Sequence, residues 1–221
     1  MFNARMKPHG GIRPYSHKSL TREIAIRPLA TPRRLIIPLR QHTGPAAVPI
    51  VAEGESVAAG QLIAEARERM SAPVHSALSG VVTSVTTGDQ GCITIKVSDQ
   101  QSPAPRLTAA EGLSETQTML SFIEQAGIVG MGGAMFPAAD KIRMSLRYPI
   151  ETLIVNGGEC EPYLTTDDRL MREQGSLSSA VSAICRPLPR PSRSISASKI
   201  TKPKPSPGLT SSAGRRITSR W

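Results

Sequence analysis

Five short apolar runs separated by turn residues constrain the fold more than any other feature of this chain. They are Leu35–Leu39, Ala47–Val51, Gln61–Ala64, Gly80–Val85 and Cys92–Val97. Each is shorter than an ordinary helix, and Val and Ile, stiff at their branched Cβ, recur in them. Gly and Pro punctuate the gaps, with Glu53-Gly54-Glu55, Ala59-Gly60-Gln61 and Ser79-Gly80 supplying tight turns. The pattern predicts a small all-β barrel or sandwich over residues 35–100. Residues 1–34 are rich in Pro, Arg and His, show no period, and read as an extended arm.

After residue 100 the period changes. A Pro- and Ser-containing bridge (98–113) leads to Ser114-Glu115-Thr116-Gln117, a capping-box signature, with Met119, Leu120 and Ile123 following at helical spacing. Gly127 should end that helix. A glycine-rich loop (Gly127–Pro137), a short helix (Ala138–Leu146) and an apolar strand (Thr152–Val155) come next. Helix, loop, helix and strand predict the incomplete start of an α/β domain over 114–174. The expected class is α+β and multidomain, a barrel followed by part of an α/β domain.

Charge requires care, because +10 overall suggests a nucleic-acid partner. Nine of the 27 Lys and Arg lie between Gly175 and Trp221, which holds no Asp or Glu. The first 174 residues keep 18 basic against all 17 acidic groups, nearly neutral, so no basic groove is expected on the body. Three scattered cysteines do not make a disulfide framework. No secretory signal and no membrane-spanning helix is expected.

Few residues are candidates for metal or nucleophile chemistry. His42 and His75 have no Cys or acidic residue at ligand spacing, and His75, between Val74 and Ser76, is expected in a turn as a hydrogen-bonded structural group. Cys92 and Cys160 read as small packing residues. Neither a catalytic residue nor a metal ligand is assigned.

The glycine loop carries the most chemistry. Gly130, Gly132 and Gly133 allow close approach to a ligand and can turn backbone N–H groups toward an anion, and Lys141 adds a charge. Beyond the strand, Asn156-Gly157-Gly158-Glu159-Cys160-Glu161-Pro162-Tyr163 places two carboxylates and an amide where α/β domains bind ligands. Such groups suit an uncharged heterocycle or ribose edge and would repel a second phosphate.

Residues 51–82 resemble biotinyl and lipoyl carrier domains, yet the hairpin tip that presents a lysine there is Arg69-Met70-Ser71-Ala72 here, and no lysine occurs between Lys18 and Lys96. A covalently modified carrier is therefore not expected, and the barrel reads as a docking or structural module. Gly130–Pro137, Lys141 and Asn156–Pro162 resemble the flavin-binding subunit of respiratory complex I and, most nearly, the RnfC family, whose members read Gly-x-Gly-Gly-Ala-Gly-Phe-Pro and Asn-x-x-Glu-x-Glu-Pro. Gly10–Pro14, Leu39–Gly44, the lysine-free barrel and Thr165–Glu173 support the likeness. The resemblance implies that Gly130, Gly132, Gly133 and Lys141 face FMN phosphate or ribityl groups. It places Asn156, Glu159 and Glu161 near the flavin ring and Phe136 beside the nicotinamide of NADH. It further implies hydride transfer from NADH to flavin, then electrons passed to 4Fe-4S clusters. The setting would be a complex at the cytoplasmic face of the bacterial inner membrane, held there by partner subunits. The cluster ligands of that family are not in this sequence. Met135 stands where the family has its second loop glycine.

Residues 175–221 have a different texture, mostly Ser, Pro, Arg, Ala, Lys, Thr and Ile without apolar period, and read as a disordered tail. The genetic code permits codons for Ala197–Thr210 that, read from the third base of the first, encode Ile-Glu-Asp-Asn-Lys-Ala-Glu-Ala-Ile-Ala-Gly-Leu-Asp. That phrase is similar to the family's Ile-Glu-Asp-Asn-Lys-Pro-Glu-Ala-Ile. The tail is therefore expected to be an out-of-frame translation that truncates the α/β domain. The alternative to an electron-transport role is a barrel that only docks other subunits.

Overall fold

The computed structural model describes residues 15–108, 112, 114–148, 152–177 and 193–197, with no side-chain account of 152, 153 and 193–197. The Gly10–Pro14 motif and most of the tail lie outside the described residues. The chain forms two compact units. One comprises 29–150 with 187–190, the other 1–28 with 151–186 and 191–221.

In the first unit, β1 (Arg34–Pro38), β2 (Val48–Pro49), β3 (Ser56–Val57), β4 (Leu62–Glu65), β5 (Val74–His75), β6 (Gly80–Val85) and β7 (Cys92–Val97) make two sheets. The larger runs β1-β7-β6-β3 and the smaller β2-β4-β5, all pairs antiparallel. This is the expected barrel-sandwich architecture as two facing sheets rather than one closed barrel. Alternation explains the core: in β7, Ile93 and Ile95 are fully buried while Lys96 is exposed. Leu39, Ile63 and Val82 complete the interior with Ile37, Val51, Val57 and Val74. Burying each such side chain is worth about 1.5–3 kcal/mol.

Two short strands escaped the pattern, β3 and β5, because two residues cannot show a period. His75 is accordingly in β5, opposite Leu62, rather than in a turn. The 98–113 bridge is not loose at its start. The Ser79 hydroxyl accepts from Ala59 N–H (3.0 Å) and Ser102 N–H (2.9 Å) and donates to the Ser102 carbonyl (2.8 Å), laying 98–104 along the barrel.

The helical layer of this unit follows the sequence closely. Helix α1 (Glu115–Gln125) opens with the full capping box: Gln117 N–H donates to Ser114 Oγ and Ser114 N–H to Gln117 Oε1. It stops at Gly127, whose φ of +64° and position against the Pro73 carbonyl exclude a side chain; a Cβ there would stand 2.3 Å from that oxygen. Helix α2 (Ala138–Ser145) is tied back to the barrel by Asp140. Its carboxylate, buried, accepts from Met70 N–H (2.8 Å) and from Arg143 Nη1 (3.1 Å), and Arg143 also pairs with Glu124 of α1.

In the second unit, β8 (Thr152–Asn156) and β9 (Arg193–Ala197) pair in parallel, with α3 (Thr166–Glu173) between them in sequence. Parallel neighbours need such a crossover. The expectation of a tail without structure is not met at 193–197. The arm also differs from expectation over 15–28, where it carries a 3-10 turn, Lys18–Leu20, and lies against residues 161–173. Lys18 Nζ donates to the carbonyls of Glu161 (3.1 Å) and Leu164 (2.5 Å), Tyr163 N–H donates to Ser16 O (2.7 Å), and Ile26 N–H donates to the Glu173 carboxylate (3.1 Å). No helix among the described residues is long and apolar enough to cross a membrane.

Candidate functional site

The glycine loop is built as a hairpin-like projection ahead of α2. Ala138 N–H donates to Ile128 O and Gly130 N–H to Phe136 O, both at 2.9 Å, closing its base, while Met135 N–H donates to Gly132 O (3.1 Å) across the tip. Thr43 of the barrel reaches the other side. Its N–H donates to the Met135 carbonyl (3.0 Å) and its hydroxyl to the Ala134 carbonyl.

What remains at the tip is a run of donors. The N–H groups of Met131, Gly132, Gly133 and Ala134 have no acceptor among the described residues, and all four residues are exposed. Those of Ala139 and Asp140, in the first turn of α2, are likewise without one, as helix geometry requires. Lys141 is exposed on the same short helix, and Phe136 is half-buried at the loop's base.

The glycines divide by what demands them. Gly130 commits its N–H to the loop base. Gly132 and Gly133 have neither positive φ nor a neighbour within 4 Å of where a Cβ would sit. Neither turn conformation nor packing within the described chain calls for glycine there. Met135 presents the opposite case, a side-chain-bearing residue at φ +43°. The backbone at that position is left-handed, which a glycine adopts freely and other residues at a cost of about 1–2 kcal/mol.

The second motif belongs to the other unit. Asn156 Oδ1 accepts from Gly158 N–H (3.0 Å), turning the chain out of β8. Glu159 Oε1 accepts from Asp167 N–H (2.7 Å) and Asp168 N–H (3.1 Å). Thr165 precedes α3 without capping it, so Glu159 performs that task from six residues upstream. Burial, and then the Glu159 charge, push the Asp167 carboxyl above its usual range. Of the three predicted polar groups, only the Glu161 side chain, exposed, has no partner among the described residues. Beside it His17 and Tyr163 stack face to face at 4.8 Å, both in left-handed backbone.

Of the two candidate histidines only His42 is hydrogen-bonded; the His75 side chain, expected to be so, has no hydrogen-bond partner among the described residues. His42 is buried, with Nε2 2.8 Å from the Pro45 carbonyl and 3.2 Å from Ser71 Oγ. Cys92 is partly buried and takes the Thr86 hydroxyl at 3.6 Å; Cys160 is exposed, not the packing residue expected. No group of three or more His, Cys, Asp or Glu suited to a metal occurs among the described residues. Sequence reading missed Thr43 and Lys18 as supports: Thr43 lies in the Leu39–Gly44 stretch without an assigned role, Lys18 lies in the arm, and each acts on backbone far along the chain.

Residues 6–97 match the RnfC barrel sandwich hybrid domain, and residues 123–186 match the Nuo51 FMN-binding domain. Curated relatives, each named as the C subunit of the ion-translocating oxidoreductase complex, are similar over most of the chain. That of Rhodobacter capsulatus is 42% identical over 174 residues, 75% of this chain and 34% of the relative. That of Pectobacterium carotovorum is 39% identical over 178 residues (74% and 23%), and that of Vibrio cholerae 35% over 173 (74% and 22%). The chain thus spans about a third or less of the length of these relatives.

Proposed function

We propose, on the premise that the matching three quarters of this chain belong to the RnfC family of ion-translocating oxidoreductase subunits, that its glycine loop is the phosphate-holding part of an FMN site. The observation that carries this reading is the pair Gly132 and Gly133: glycines that the chain's own conformation does not require, in a row of unpartnered N–H donors. Close approach by an external anion explains both.

In this reading Met131–Ala134 offer N–H groups to the phosphate, Gly130 holds the loop closed, and Lys141 adds charge. These donors fit a phosphate monoester. By the family resemblance Phe136 borders the nicotinamide site, and Asn156, Glu159 and Glu161 serve the flavin ring and nicotinamide. Glu159 does so through α3, whose N-terminus it caps, and Glu161 by direct hydrogen bonding. FMN supplies hydride and single-electron chemistry when bound. NADH as donor, 4Fe-4S clusters as acceptors, the partner subunits and peripheral placement at the cytoplasmic face of the inner membrane are parts of the same proposal for the whole assembly.

Titrating the full chain with FMN and with riboflavin, followed by flavin fluorescence, tests it. The expectation is binding of FMN at least tenfold tighter than riboflavin, because the phosphate provides the contacts. Equal affinities, or none for either, sink the phosphate-loop reading. The alternative, a barrel that only docks partners, is favoured by that second outcome.

A further inference from the structure

We propose that Thr43, on the barrel, is a positioning residue that holds the glycine loop in its donor-presenting shape. The inference rests on the reading of that loop as the phosphate site and adds what controls it.

Two consecutive carbonyls, Ala134 and Met135, are both taken by Thr43, one by its hydroxyl and one by its N–H. A planar peptide pinned through its oxygen fixes the N–H on its far side, here those of Met135 and Phe136; the Met135 N–H in turn holds the Gly132 carbonyl, and with it the orientation of the Gly133 N–H. Met135 supplies the independent sign that the loop is held. A methionine persists in left-handed backbone only where its surroundings over-determine it. The clamp on its carbonyl and the Met135 N–H bond to Gly132 O are the contacts that do so.

Thr43 is itself on a stiff platform. His42, buried, bonds the Pro45 carbonyl, and Gly44 sits at φ +110° against the backbone of Met70. Met70 in turn donates to Asp140 at the start of α2. The returning side of the tip is therefore referenced twice to one surface: Thr43 grips Ala134 and Met135, and Asp140 fixes the helix that follows. A loop in water would sample many shapes and present its donors together only part of the time; here that ordering cost is met before a ligand arrives.

The hydroxyl is separable from the rest. Thr43→Val keeps volume and N–H but loses the bond to Ala134, whereas Thr43→Ser keeps both bonds. In the full chain, amide hydrogen exchange of Gly130 and Met135 reports loop opening, and exchange of Ile93 and Ile95 reports the barrel. Thr43→Val should speed exchange at Gly130 and Met135 about tenfold, leave Ile93 and Ile95 unchanged, and weaken FMN about tenfold. Thr43→Ser should restore both. Unchanged loop exchange in Thr43→Val, or a serine variant as impaired as the valine one, overturns the proposal. Faster loop exchange with no FMN binding even by the unaltered chain would leave the clamp standing and remove the flavin reading instead. Normal loop exchange with intact FMN binding would do the reverse.

Discussion

Alanine at Gly132 and Gly133 separates ligand demand from structural demand. Neither glycine has positive φ, and a Cβ at either would meet no atom within 4 Å. Replacing a glycine whose backbone an alanine can share removes unfolded-state freedom and stabilises by about 0.4–1 kcal/mol. For a domain of this size that raises the melting temperature by several degrees at most. Binding should move the other way. A methyl group on the donor face holds a phosphate away from at least one N–H, and a hydrogen bond to a charged partner is worth about 1.5–3 kcal/mol. Affinity for FMN should therefore fall roughly 10- to 100-fold while thermal stability holds or rises. Gly127→Ala is the matched contrast. With φ +64° and 2.3 Å from the Pro73 carbonyl, it should destabilise by more than about 2 kcal/mol. Differential scanning calorimetry and fluorescence titration on the same samples decide. If Gly132→Ala and Gly133→Ala lower the melting point, or bind FMN as tightly as the parent, the argument from unneeded glycines is refuted.

Asp140→Ala should cost about 2–4 kcal/mol in urea unfolding, since it strands the Met70 N–H and half of the Arg143 pairing; an effect below about 0.5 kcal/mol would show that α2 does not lean on that carboxylate. Met135→Gly should stabilise by about 1 kcal/mol by relieving left-handed strain, read as a higher melting temperature; a loss would mean the thioether packs usefully. Burial lowers the His75 pKa below its ordinary 6.5. A lowered histidine favours the folded state above the unfolded pKa and loses that advantage as pH falls, so the melting temperature should drop between pH 7.5 and 5.5, and His75→Gln should flatten the drop. Sequencing the gene tests the tail: a one-base shift near codon 175 should restore a reading frame like that of the relatives, and no such frame would dispose of the idea.

Where the sequence carried a period or a cap, the structure was legible in it. Strands β1, β4, β6 and β7, the Ser114 capping box and the stop at Gly127 all lie within a residue or two of expectation. The pairs at β3 and β5 were not, because two-residue strands owe their existence to neighbours across the sheet rather than to local pattern. In the candidate site, the glycines could be seen but not sorted; that Gly130 closes the loop while Gly132 and Gly133 are unconstrained needs coordinates. Glu159 was read as a ligand-facing carboxylate, yet its contacts are with the start of α3, a bond no spacing rule foretells. Thr43 and Lys18 were invisible for a related reason: both act on carbonyls remote in sequence, and backbone acceptors leave no residue signature.

The tether between Met70 and Asp140 has a consequence for how this part of the chain can change over time. The hairpin tip at Met70 is moored, and the residues of α2 take their position from the β-core. The stretch from 105 to 108 then has no metric task, because the distance between barrel and loop is set by contacts across space. Lengthening it adds only the slow logarithmic cost of a longer closed loop. Insertions and deletions should accumulate there, while the few residues around Thr43, Met70 and Asp140 keep the gauge.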